Sequence, residues 1–451
     1  MPSSSQKLFY QSSIQVPLID HGEGIWLIDE TGKRYLDGSS GAIVANLGHA
    51  HPRMLAAMQK QASKVSFAYR TQFENQAAVD LAELLSEHLS QGLERVFYVS
   101  GGSEAVESAI KLARQYHVAK GEERRYRILS RFPSYHGSTL GALSATGYLT
   151  LNQPFEPLLY EQQHIPAPTC YRCPLHKTYP GCGVACAQEL ETLIQKLGPE
   201  TIAAFMLEPI GGASTAAIVS PDEYFGMISR VCRKHGILMI YDEVMTGAGR
   251  TGKFCAYQHW PEAEVDILVL AKGLGAGYSP LGAVVCRPDI SDAVLADGGF
   301  RHGYTYAGNP LSCAVGLEAL HIIDDEKLCE NARIQGERLK ARLETLQKRY
   351  SFIGDVRGKG LLLGVEFVAD KESKEPFPAN WDVYQVVTRF AFEEGLIIYP
   401  RRNFAGLKGD HVLIAPPLII KEDEVEVLLG HFNKALERLE IWLQRQWKNH
   451  L

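Results

Sequence analysis

The segment DILVLAKGLGAGYSPLGAVV, residues 266–285, places one lysine, Lys272, between an apolar run and three alternating glycines. A lysine at this point has two interpretations. It marks the end of a strand where the chain emerges into water, because lysine is rarely buried. Alternatively, it lies in a dry pocket, where loss of hydration lowers the pKa of its amine and makes that amine a nucleophile. The position alone leaves both open.

Short apolar runs alternate with helical stretches from about residue 60 to about residue 310. The runs that predict strands are residues 95–100, 126–130, 202–210, 236–244, 266–271 and 281–286. Residues 104–120, between the first two runs, have helical periodicity. Unbroken apolar strands separated by helices predict an α/β fold with a largely parallel sheet covered on both sides.

The two ends of the chain predict a second, smaller α+β unit. A hairpin with alternating Ile25 and Leu27 turns at residues 30–33, and residues 356–368 and 394–400 resemble strands. Residues 421–450 form an amphipathic stripe that predicts a final helix. Both ends are too small to fold alone, so we expect the hairpin to join the C-terminal unit. The predicted division is 1–59 and 321–451 for the small domain and 60–320 for the large one.

Composition narrows the class of protein. The 451 residues carry a net charge of −6, which gives no support to a nucleic-acid partner or an anionic membrane surface. No uncharged apolar run reaches about 18 residues, and residues 1–10 have no apolar core of signal-peptide length. Nine cysteines form an odd set, which argues against a fully paired secreted framework. We therefore expect a cytoplasmic protein.

Four of the cysteines cluster in CYRCPLHKTYPGCGVAC, residues 170–186. Cys170 and Cys173 form a C-x2-C pair, and Cys182 and Cys186 form a C-x3-C pair eight residues later. The local spacing resembles a zinc or iron–sulfur ligand set, although the gap is tighter than in most structural zinc modules. A surface loop of reduced cysteines is the other interpretation. We assign no metal to the functional site, and the sequence leaves the role of this loop open.

Three predicted strand ends carry residues suited to one cofactor. Gly102 and Ser103 follow a strand and open a helix, where free amides favour a phosphate, although Ser103 with Glu104 also suits a plain helix start. Asp242 ends a nearly uncharged strand, and Lys272 ends the next. A phosphate site, a buried acid and a buried lysine together are what pyridoxal 5′-phosphate requires.

A competing motif is GAGRTG, residues 247–252, which matches the dinucleotide pattern G-x-G-x-x-G literally. A true fingerprint runs from a strand directly into the glycine turn and then into a helix. Here Asp242 and Glu243 intervene after the strand, and no convincing helix follows. We therefore reject a nicotinamide cofactor.

Taken together, these motifs resemble those of class-III aminotransferases, in the aspartate aminotransferase superfamily of PLP fold type I. The matching motifs are SGGSEAVESAIKLAR (100–114), YHGSTLGA (135–142), LEPIGG (207–212), DEVMTGAGRTG (242–252), AKGLGAGYSPLGA (271–283) and HGYTYAGNPLSCA (302–314). The resemblance covers nearly the whole chain. It implies a large domain with a mostly parallel, seven-stranded sheet and a smaller α+β domain, and it favours the dry-pocket interpretation of the lysine.

The resemblance also implies a role for each matching residue. Lys272 would form the Schiff base and shuttle the proton of the substrate. Asp242 would pair with the pyridinium nitrogen, and Gly102 and Ser103 would hold the phosphate.

Further roles follow from the same resemblance. Tyr135 would stack on one face of the cofactor ring and Val244 would pack against the other. Thr305 would reach the phosphate of the neighbouring subunit, which implies a homodimer with shared active sites. Glu208 is a candidate for supporting the site, and an equally good candidate for a buried structural carboxylate.

The sequence departs from the ornithine and GABA type of this family at a glutamate–arginine gate that holds a substrate carboxylate. Ala213 and Leu413 stand at the two gate positions. Amine–pyruvate enzymes of the same class instead use a mobile arginine slightly earlier in the chain. Arg401, Arg402 and Lys408 are the candidates here for binding the substrate carboxylate, and each also fits an exposed loop charge.

The resulting prediction is PLP-dependent transamination from an amine or ω-amino acid to an α-keto acid, with pyruvate as the acceptor. The alternatives are an aminotransferase linked to 2-oxoglutarate, an aminomutase or decarboxylase on the same scaffold, and a catalytically silent ligand-binding relative. The joint presence of Lys272 and Asp242 argues against the silent relative.

Overall fold

A computed structural model of the chain describes residues 7–11, 16–89, 92–161 and 163–450, with side chains through residue 448. The N-terminal segment 1–10, which has no apolar core of signal-peptide length, lies partly outside the described residues, at residues 1–6. None of the helices in the described ranges combines the length and hydropathy that a membrane crossing needs.

The described residues form fifteen strands. They are β1 Ile19–Glu23, β2 Trp26–Asp29, β3 Arg34–Asp37, β4 Arg95–Val99, β5 Arg127–Phe132, β6 Gln163–Pro166, β7 Ile202–Leu207, β8 Leu238–Asp242, β9 Ile267–Leu270, β10 Gly282–Cys286, β11 Ile353–Lys359, β12 Leu362–Phe367, β13 Leu396–Ile397, β14 Tyr399–Arg402 and β15 Asp410–Ile414.

The same residues form thirteen α-helical segments. They are α1 Ser40–Ile43, α2 Pro52–Ala62, α3 Gln76–His88, α4 Gly102–Ala119, α5 Leu140–Ala145, α6 Leu149–Asn152, α7 Ala185–Leu197, α8 Glu223–His235, α9 Pro288–Ala296, α10 Pro310–Asp325, α11 Leu328–Arg349, α12 Val383–Glu393 and α13 Glu422–His450.

The central sheet has seven strands in the order β4-β10-β9-β8-β7-β5-β6. Strand β10 runs antiparallel to both of its neighbours, and the other four pairings are parallel. The six predicted strands all occur, with ends that differ by up to three residues, and the helix predicted at 104–120 is α4. The predicted α/β fold class with a mostly parallel seven-stranded sheet is confirmed.

The seventh strand, β6, was missed by sequence reasoning. Its sequence QHIP has four residues, two of them polar, and it ends in proline. It pairs only with β5, at the edge of the sheet. An edge strand is exempt from the apolar pattern that a strand buried on both faces must have, so the pattern could not reveal it.

Helices cover both faces of the central sheet because its side chains alternate between two apolar cores. One core receives Ile240 and Val269 from the strands and packs against α4 and α9. The opposite core receives Tyr241 and Leu268 and packs against α3, α7, α8 and α10. Strands β7, β8, β9 and β10 are buried along their whole length, which explains their continuous apolar sequence.

The two ends of the chain meet in a third core, as the sequence predicts. Strand β3 pairs in parallel with β13, through Leu36 opposite Leu396, so the N-terminal sheet β1-β2-β3-β13 is completed by a C-terminal strand. A second four-stranded sheet, β11-β12-β15-β14, packs in the same core with α11, α12 and α13. Helix α10 contributes to this core and also to the core that receives Tyr241 and Leu268 from the central sheet. The domain boundaries at 59/60 and 320/321 stay a prediction.

Arg250, at the centre of the GAGRTG segment, joins three distant parts of the chain. Its side chain is fully buried. Nη1 donates to the carbonyl oxygens of Leu361, at 3.1 Å, and Pro416. Nη2 donates to Ser40 Oγ at 3.1 Å and to Asn46 Oδ1 at 2.7 Å. The segment that resembles a dinucleotide motif thus ties the central sheet to the N-terminal and C-terminal parts.

Replacing Arg250 with alanine should lower the free energy of unfolding by about 3 kcal/mol or more, because several buried acceptors would lose their donor. Thermal melting followed by circular dichroism measures this. Arg230→Ala is the matched control, since Arg230 is exposed and lies 3.8 Å from an equally exposed Glu262. Equal melting temperatures for the two variants would contradict the role given to Arg250.

Candidate active site

A cavity of about 410 Å³ lies at the carboxyl ends of β4, β5, β7, β8 and β9. These five strands run in one direction, so the segments that follow them meet at one edge of the sheet. Ligands of open α/β sheets bind at this edge. The cavity is therefore the candidate active site.

Lys272 lines this cavity two residues after the end of β9. Its φ of 45° lies in the left-handed region, which is uncommon for a residue with a side chain and recurs at functional sites. Loss of hydration lowers the pKa of the Lys272 amine to about 8, while the carboxylates of Asp242 and Glu208 act in the opposite direction. With this pKa about a tenth of the amine is neutral at pH 7, far more than for an ordinary lysine, and the neutral form can act as a nucleophile.

Asp242 is the last residue of β8 and is 5% exposed. Its Oδ1 accepts a hydrogen bond from the amide of Val244 at 3.0 Å. Its Oδ2 lies 2.8 Å from Nδ1 of His136, whose ring is buried. Two hydrogen bonds hold this carboxylate in one orientation at the cavity wall.

His136 is a site residue that sequence reasoning missed. It lies in the segment after β5, next to Tyr135, and it lines the same cavity as Asp242. Its Nε2 is buried and has no hydrogen-bond partner within the described residues. A histidine beside a predicted stacking residue was a usable signal, but only the fold brings it to a carboxylate 106 positions later.

The turn between β4 and α4 is a candidate anion cradle at the wall of the cavity. The N-cap residue Gly101 has no side chain to cap the helix, so amides at the start of α4 are available to a ligand. A side chain at Gly102 would place its Cβ 2.9 Å from Val244 Cγ1, so glycine is required there. Glu104 does not line the cavity, and its Oε2 accepts the amide hydrogen of Ser100 at 2.8 Å.

Ser103 and Tyr135 both line the cavity, and the segment that follows Tyr135 packs against Ser103. Ser103 Oγ accepts the amide hydrogen of Ser138 at 3.0 Å. Gly137 has a φ of 136°, and a Cβ there would lie 2.7 Å from Ser103 Oγ. This close approach places the ring of Tyr135 and the hydroxyl of Ser103 around one space, together with Val244.

Glu208 follows β7 and supports the cavity wall through backbone contacts. Its carboxylate accepts the amide hydrogens of Gly212, at 2.8 Å, and Tyr135, at 3.3 Å. Burial raises the pKa of this carboxyl. The contacts give Glu208 a structural role in joining two cavity-lining segments, in addition to its electrostatic effect on Lys272.

The two candidate arginines lie in different environments. Arg402 donates to the carbonyl of Ala379 and forms an ion pair with Asp382. Arg401 donates to the hydroxyl of Tyr399 at 3.0 Å, and none of the ion pairs in the described ranges includes it. Its charge also lowers the pKa of Lys272, which places Arg401 within electrostatic reach of the cavity. Of the two arginines, Arg401 is therefore the one whose side chain has no carboxylate contact among the described ion pairs.

Four further positions that the sequence singled out lie outside the cavity or carry no charge. Lys408 is exposed on a loop, with its amine 5.2 Å from the ring centre of Phe404. Ala213 lines the cavity and Leu413 is fully buried, so the two gate positions are apolar. Thr305 is exposed and does not line the cavity of its own chain.

The site fits pyridoxal 5′-phosphate on the chemistry of its donors. Free helix amides beside Ser103 suit the phosphate, Asp242 suits a protonated ring nitrogen, and Lys272 supplies an amine for the aldehyde. The glycine at position 102 keeps open the space that a Cβ would fill. Within the described residues, no cluster of three or more histidine, cysteine or acidic side chains is arranged to hold a metal ion.

Comparison with known proteins agrees with this chemistry. Residues 10–436 match the family model of class-III aminotransferases. A relative from Bacillus subtilis (strain 168), the uncharacterized aminotransferase YodT, is 41% identical over 441 residues, which cover 97% of this chain and 98% of the relative.

Solved structures show the same likeness. An (S)-enantioselective ω-transaminase from Thermomicrobium roseum is 39% identical, with a TM-score of 0.88 over 94% of this chain and 93% of that one. An amine transaminase from an uncultivated Pseudomonas species, in its PLP-bound form, is 34% identical, with a TM-score of 0.91 over 97% of this chain and 100% of that one. The chain therefore belongs to the class-III aminotransferases, a family of pyridoxal-phosphate-dependent enzymes.

Proposed function

We propose that this aminotransferase moves an amino group from an amine or ω-amino acid to pyruvate. The observation that carries the proposal is the apolar gate, where Ala213 lines the cavity and Leu413 is buried. Arg401 contacts the hydroxyl of Tyr399 and has no carboxylate partner among the described ion pairs. An apolar wall suits a donor without a second carboxylate, and one swinging arginine suits a short keto acid. The two solved structures described above are an ω-transaminase and an amine transaminase, which supports this choice.

When bound, pyridoxal phosphate supplies an electron sink for the bond broken at the Cα of the substrate. Lys272 would hold the cofactor through Nζ and, once freed by the incoming amine, would take the proton from Cα. Its lowered pKa serves both tasks, because each requires a neutral amine.

Asp242 would keep the ring nitrogen of the cofactor protonated. For this purpose the carboxylate must remain ionised and correctly oriented. The amide of Val244 and the ring of His136 hold its two oxygens and so fix its direction. His136 would act as a positioning residue, since its contact is with Asp242.

The remaining lining residues would position the cofactor. Gly102 and Ser103, at the start of α4, would hold the phosphate, and the helix dipole favours its negative charge. Tyr135 would cover one face of the ring and Val244 the other. Because Gly102 packs closely on Val244, the phosphate cradle and this face of the ring pocket form one rigid unit.

A homodimer would complete each site. Thr305 is exposed on its own chain, next to Tyr306, whose ring packs against Phe67. Because Thr305 does not line the cavity of its own chain, the phosphate that its hydroxyl would reach is the one in a neighbouring subunit. We propose that two chains share their sites in this way, and that the enzyme is cytoplasmic, as nine unpaired cysteines suggest.

The first prediction concerns the amine of Lys272. The rate at which the apoenzyme captures pyridoxal phosphate covalently should rise with pH and reach half its maximum near pH 8, because burial lowers the pKa of this lysine from 10.5 to about 8. Stopped-flow absorbance measures the rate, and borohydride reduction followed by peptide mass spectrometry locates the bond. Lys272→Ala should show no covalent capture, while Lys348→Ala, at an exposed position, should behave as the wild type. Covalent capture at another lysine would overturn the assignment.

The second prediction concerns the amino acceptor. The enzyme should have a higher kcat/KM for pyruvate than for 2-oxoglutarate. Arg401→Ala should raise the KM for pyruvate about tenfold or more, because a charge-assisted hydrogen bond contributes about 1.5–3 kcal/mol. It should leave the KM of a simple amine unchanged, since an amine has no carboxylate to lose.

Arg402→Ala is the matched control for this experiment. Its guanidinium is engaged by Asp382, so its loss should affect thermal stability more than the KM for pyruvate. A preference for 2-oxoglutarate, with Arg401→Ala silent, would assign the enzyme to the glutamate-linked branch of the family.

The third prediction tests whether Thr305 acts across the dimer. Heterodimers of Lys272→Ala and Thr305→Val chains should contain one complete site, built from the lysine of one chain and the threonine of the other. One of the two sites in each heterodimer should then bind the cofactor tightly and be active. Thr305→Ser, which keeps the hydroxyl, should bind the cofactor as the wild type does. If exchanged subunits form and neither property returns, Thr305 serves its own chain.

A further inference from the structure

His302 attaches the segment that carries Thr305 to helix α4. Nε2 of its ring lies 2.8 Å from Oγ of Ser108, and Nδ1 lies 3.0 Å from Nζ of Lys111. Ser108 and Lys111 belong to the second and third turns of α4. Thr305 follows His302 closely in the chain. None of the roles assigned above to the site residues uses these contacts.

The contacts of His302 agree with one placement of its protons. An ammonium group can only donate, so Nδ1 accepts from Lys111, and Nε2 carries the hydrogen that is donated to Ser108 Oγ. Ser108 Oγ in turn donates its own hydrogen to the carbonyl of Glu104 at 2.7 Å. Burial, together with the charges of Lys111 and Arg70, lowers the pKa of His302 to about 4, so the ring is neutral at physiological pH. A neutral ring is what this arrangement of donors and acceptors requires.

The backbone around His302 is fixed on the same helix. Gln115, also on α4, donates through Nε2 to the carbonyl of Gly299 at 2.7 Å. Its Oε1 accepts the amide hydrogen of Arg301 at 3.0 Å. Side-chain and backbone contacts therefore hold the same short segment, residues 299–302, against α4.

Thr305 depends on its neighbours for its direction, because its own side chain is exposed. The ring of Tyr304, the residue before it, packs edge-on against the ring of His302, with the ring centroids 4.8 Å apart. Beyond Thr305, the side chain of Asn75 donates to the carbonyl of Gly308 at 3.0 Å. The exposed hydroxyl is thus carried by a turn that is held on both sides.

Helix α4 would then contribute to two cofactor sites. Its first residues, Gly102 and Ser103, line the cavity of their own chain and would hold the phosphate there. Its second and third turns hold His302 and, through it, the threonine that would reach the neighbouring phosphate. We propose that His302 is a positioning residue for the neighbouring subunit, where it directs the Thr305 hydroxyl toward the cofactor phosphate. This inference rests on the proposed function, in which Thr305 acts across the dimer.

Heterodimers with a single Lys272 test this inference, because covalent capture then reports one site. Each heterodimer pairs a Lys272→Ala chain with a chain that keeps the lysine, and two different affinity tags separate it from the homodimers. The apo heterodimers are titrated with pyridoxal phosphate and reduced with borohydride. Mass spectrometry of the peptide that contains Lys272 then gives the occupancy of this site at each cofactor concentration.

The chain that carries the His302→Leu substitution decides the expected result. In the Lys272→Ala chain, the substitution disturbs the threonine that serves the remaining lysine. The half-saturating concentration of cofactor should then rise about tenfold, because the phosphate loses a charge-assisted hydrogen bond. In the lysine-bearing chain, the same substitution disturbs only the threonine of the site that has lost its lysine. The half-saturating concentration should then stay close to that of the heterodimer with both histidines.

Two further variants keep the test informative if His302→Leu does not fold. His302→Gln keeps a nitrogen donor within reach of Ser108, so it should preserve most of the cofactor affinity in the Lys272→Ala chain. Ser108→Ala removes the acceptor on α4 and should weaken capture only when it is placed in the Lys272→Ala chain. Thermal melting of each apo heterodimer checks that the variants are folded.

His117→Leu is the matched control on α4. The ring of His117 is buried and contacts Glu122, at 2.7 Å, and the carbonyl of Ala203, at 2.9 Å, so its partners lie outside the segment at residues 299–305. Its loss should lower the melting temperature and should affect cofactor capture equally in the two arrangements. A merely structural role of His302 would give this same pattern.

Thr305→Val in the same two arrangements separates this inference from the proposed function. If Thr305→Val weakens capture across the dimer and neither His302→Leu nor Ser108→Ala does so, His302 is not a positioning residue. If His302→Leu weakens capture only in the lysine-bearing chain, it supports the cradle of its own chain and the inference is wrong. If Thr305→Val itself has no effect across the dimer, the shared site of the proposed function fails, and this inference fails with it.

Discussion

The buried guanidinium of Arg250 is the interaction on which the arrangement of the site depends. Burial lowers the pKa of this group to about 9, and no carboxylate pairs with it among the described ion pairs. Four hydrogen bonds offset the lost hydration, and they come from the N-terminal segment and from two C-terminal segments. Asn46, one of the acceptors, also donates to the carbonyl of Ala248 at 3.0 Å. The three parts of the chain are thereby held around one edge of the central sheet.

That edge concentrates opposite charges in a small space. Lys272, Asp242 and Glu208 end or follow three adjacent strands. The two carboxylates raise the pKa of Lys272, and Asp242 also raises the pKa of Glu208. The carboxylates favour the charged lysine, and burial disfavours it more strongly, which leaves an amine that titrates near neutral pH. Because the same strands are buried along their whole length, the charges have little freedom to move away from one another.

The small sheet β11-β12-β15-β14 holds the part of the cavity wall that includes Ala213. Its strand β15 carries His411, whose Nε2 donates to the carbonyl of Ala213 at 2.8 Å. Burial lowers the pKa of His411 to about 3, so this ring is a neutral donor at physiological pH. Arg357, on β11, holds the carbonyl of Thr215 in the same loop. This loop of the cavity wall is thus held by residues far in sequence from the lysine. Arg172, in the cysteine-bearing segment 170–186, contacts the same network through Glu366.

The sequence by itself determined the α/β class, six of the seven central strands and the cavity positions of Lys272 and Asp242, because buried strands need continuous apolar runs and charged residues mark their ends. Its glycine motif likewise predicted the turn that opens α4 and lines the cavity. Only the tertiary structure decided the rest. The partnership of His136 with Asp242, the difference between Arg401 and Arg402, and the clamp at Arg250 are all contacts between segments distant in the chain. Local periodicity carries no information about such contacts, because they arise only when separate strands and loops are packed against one another.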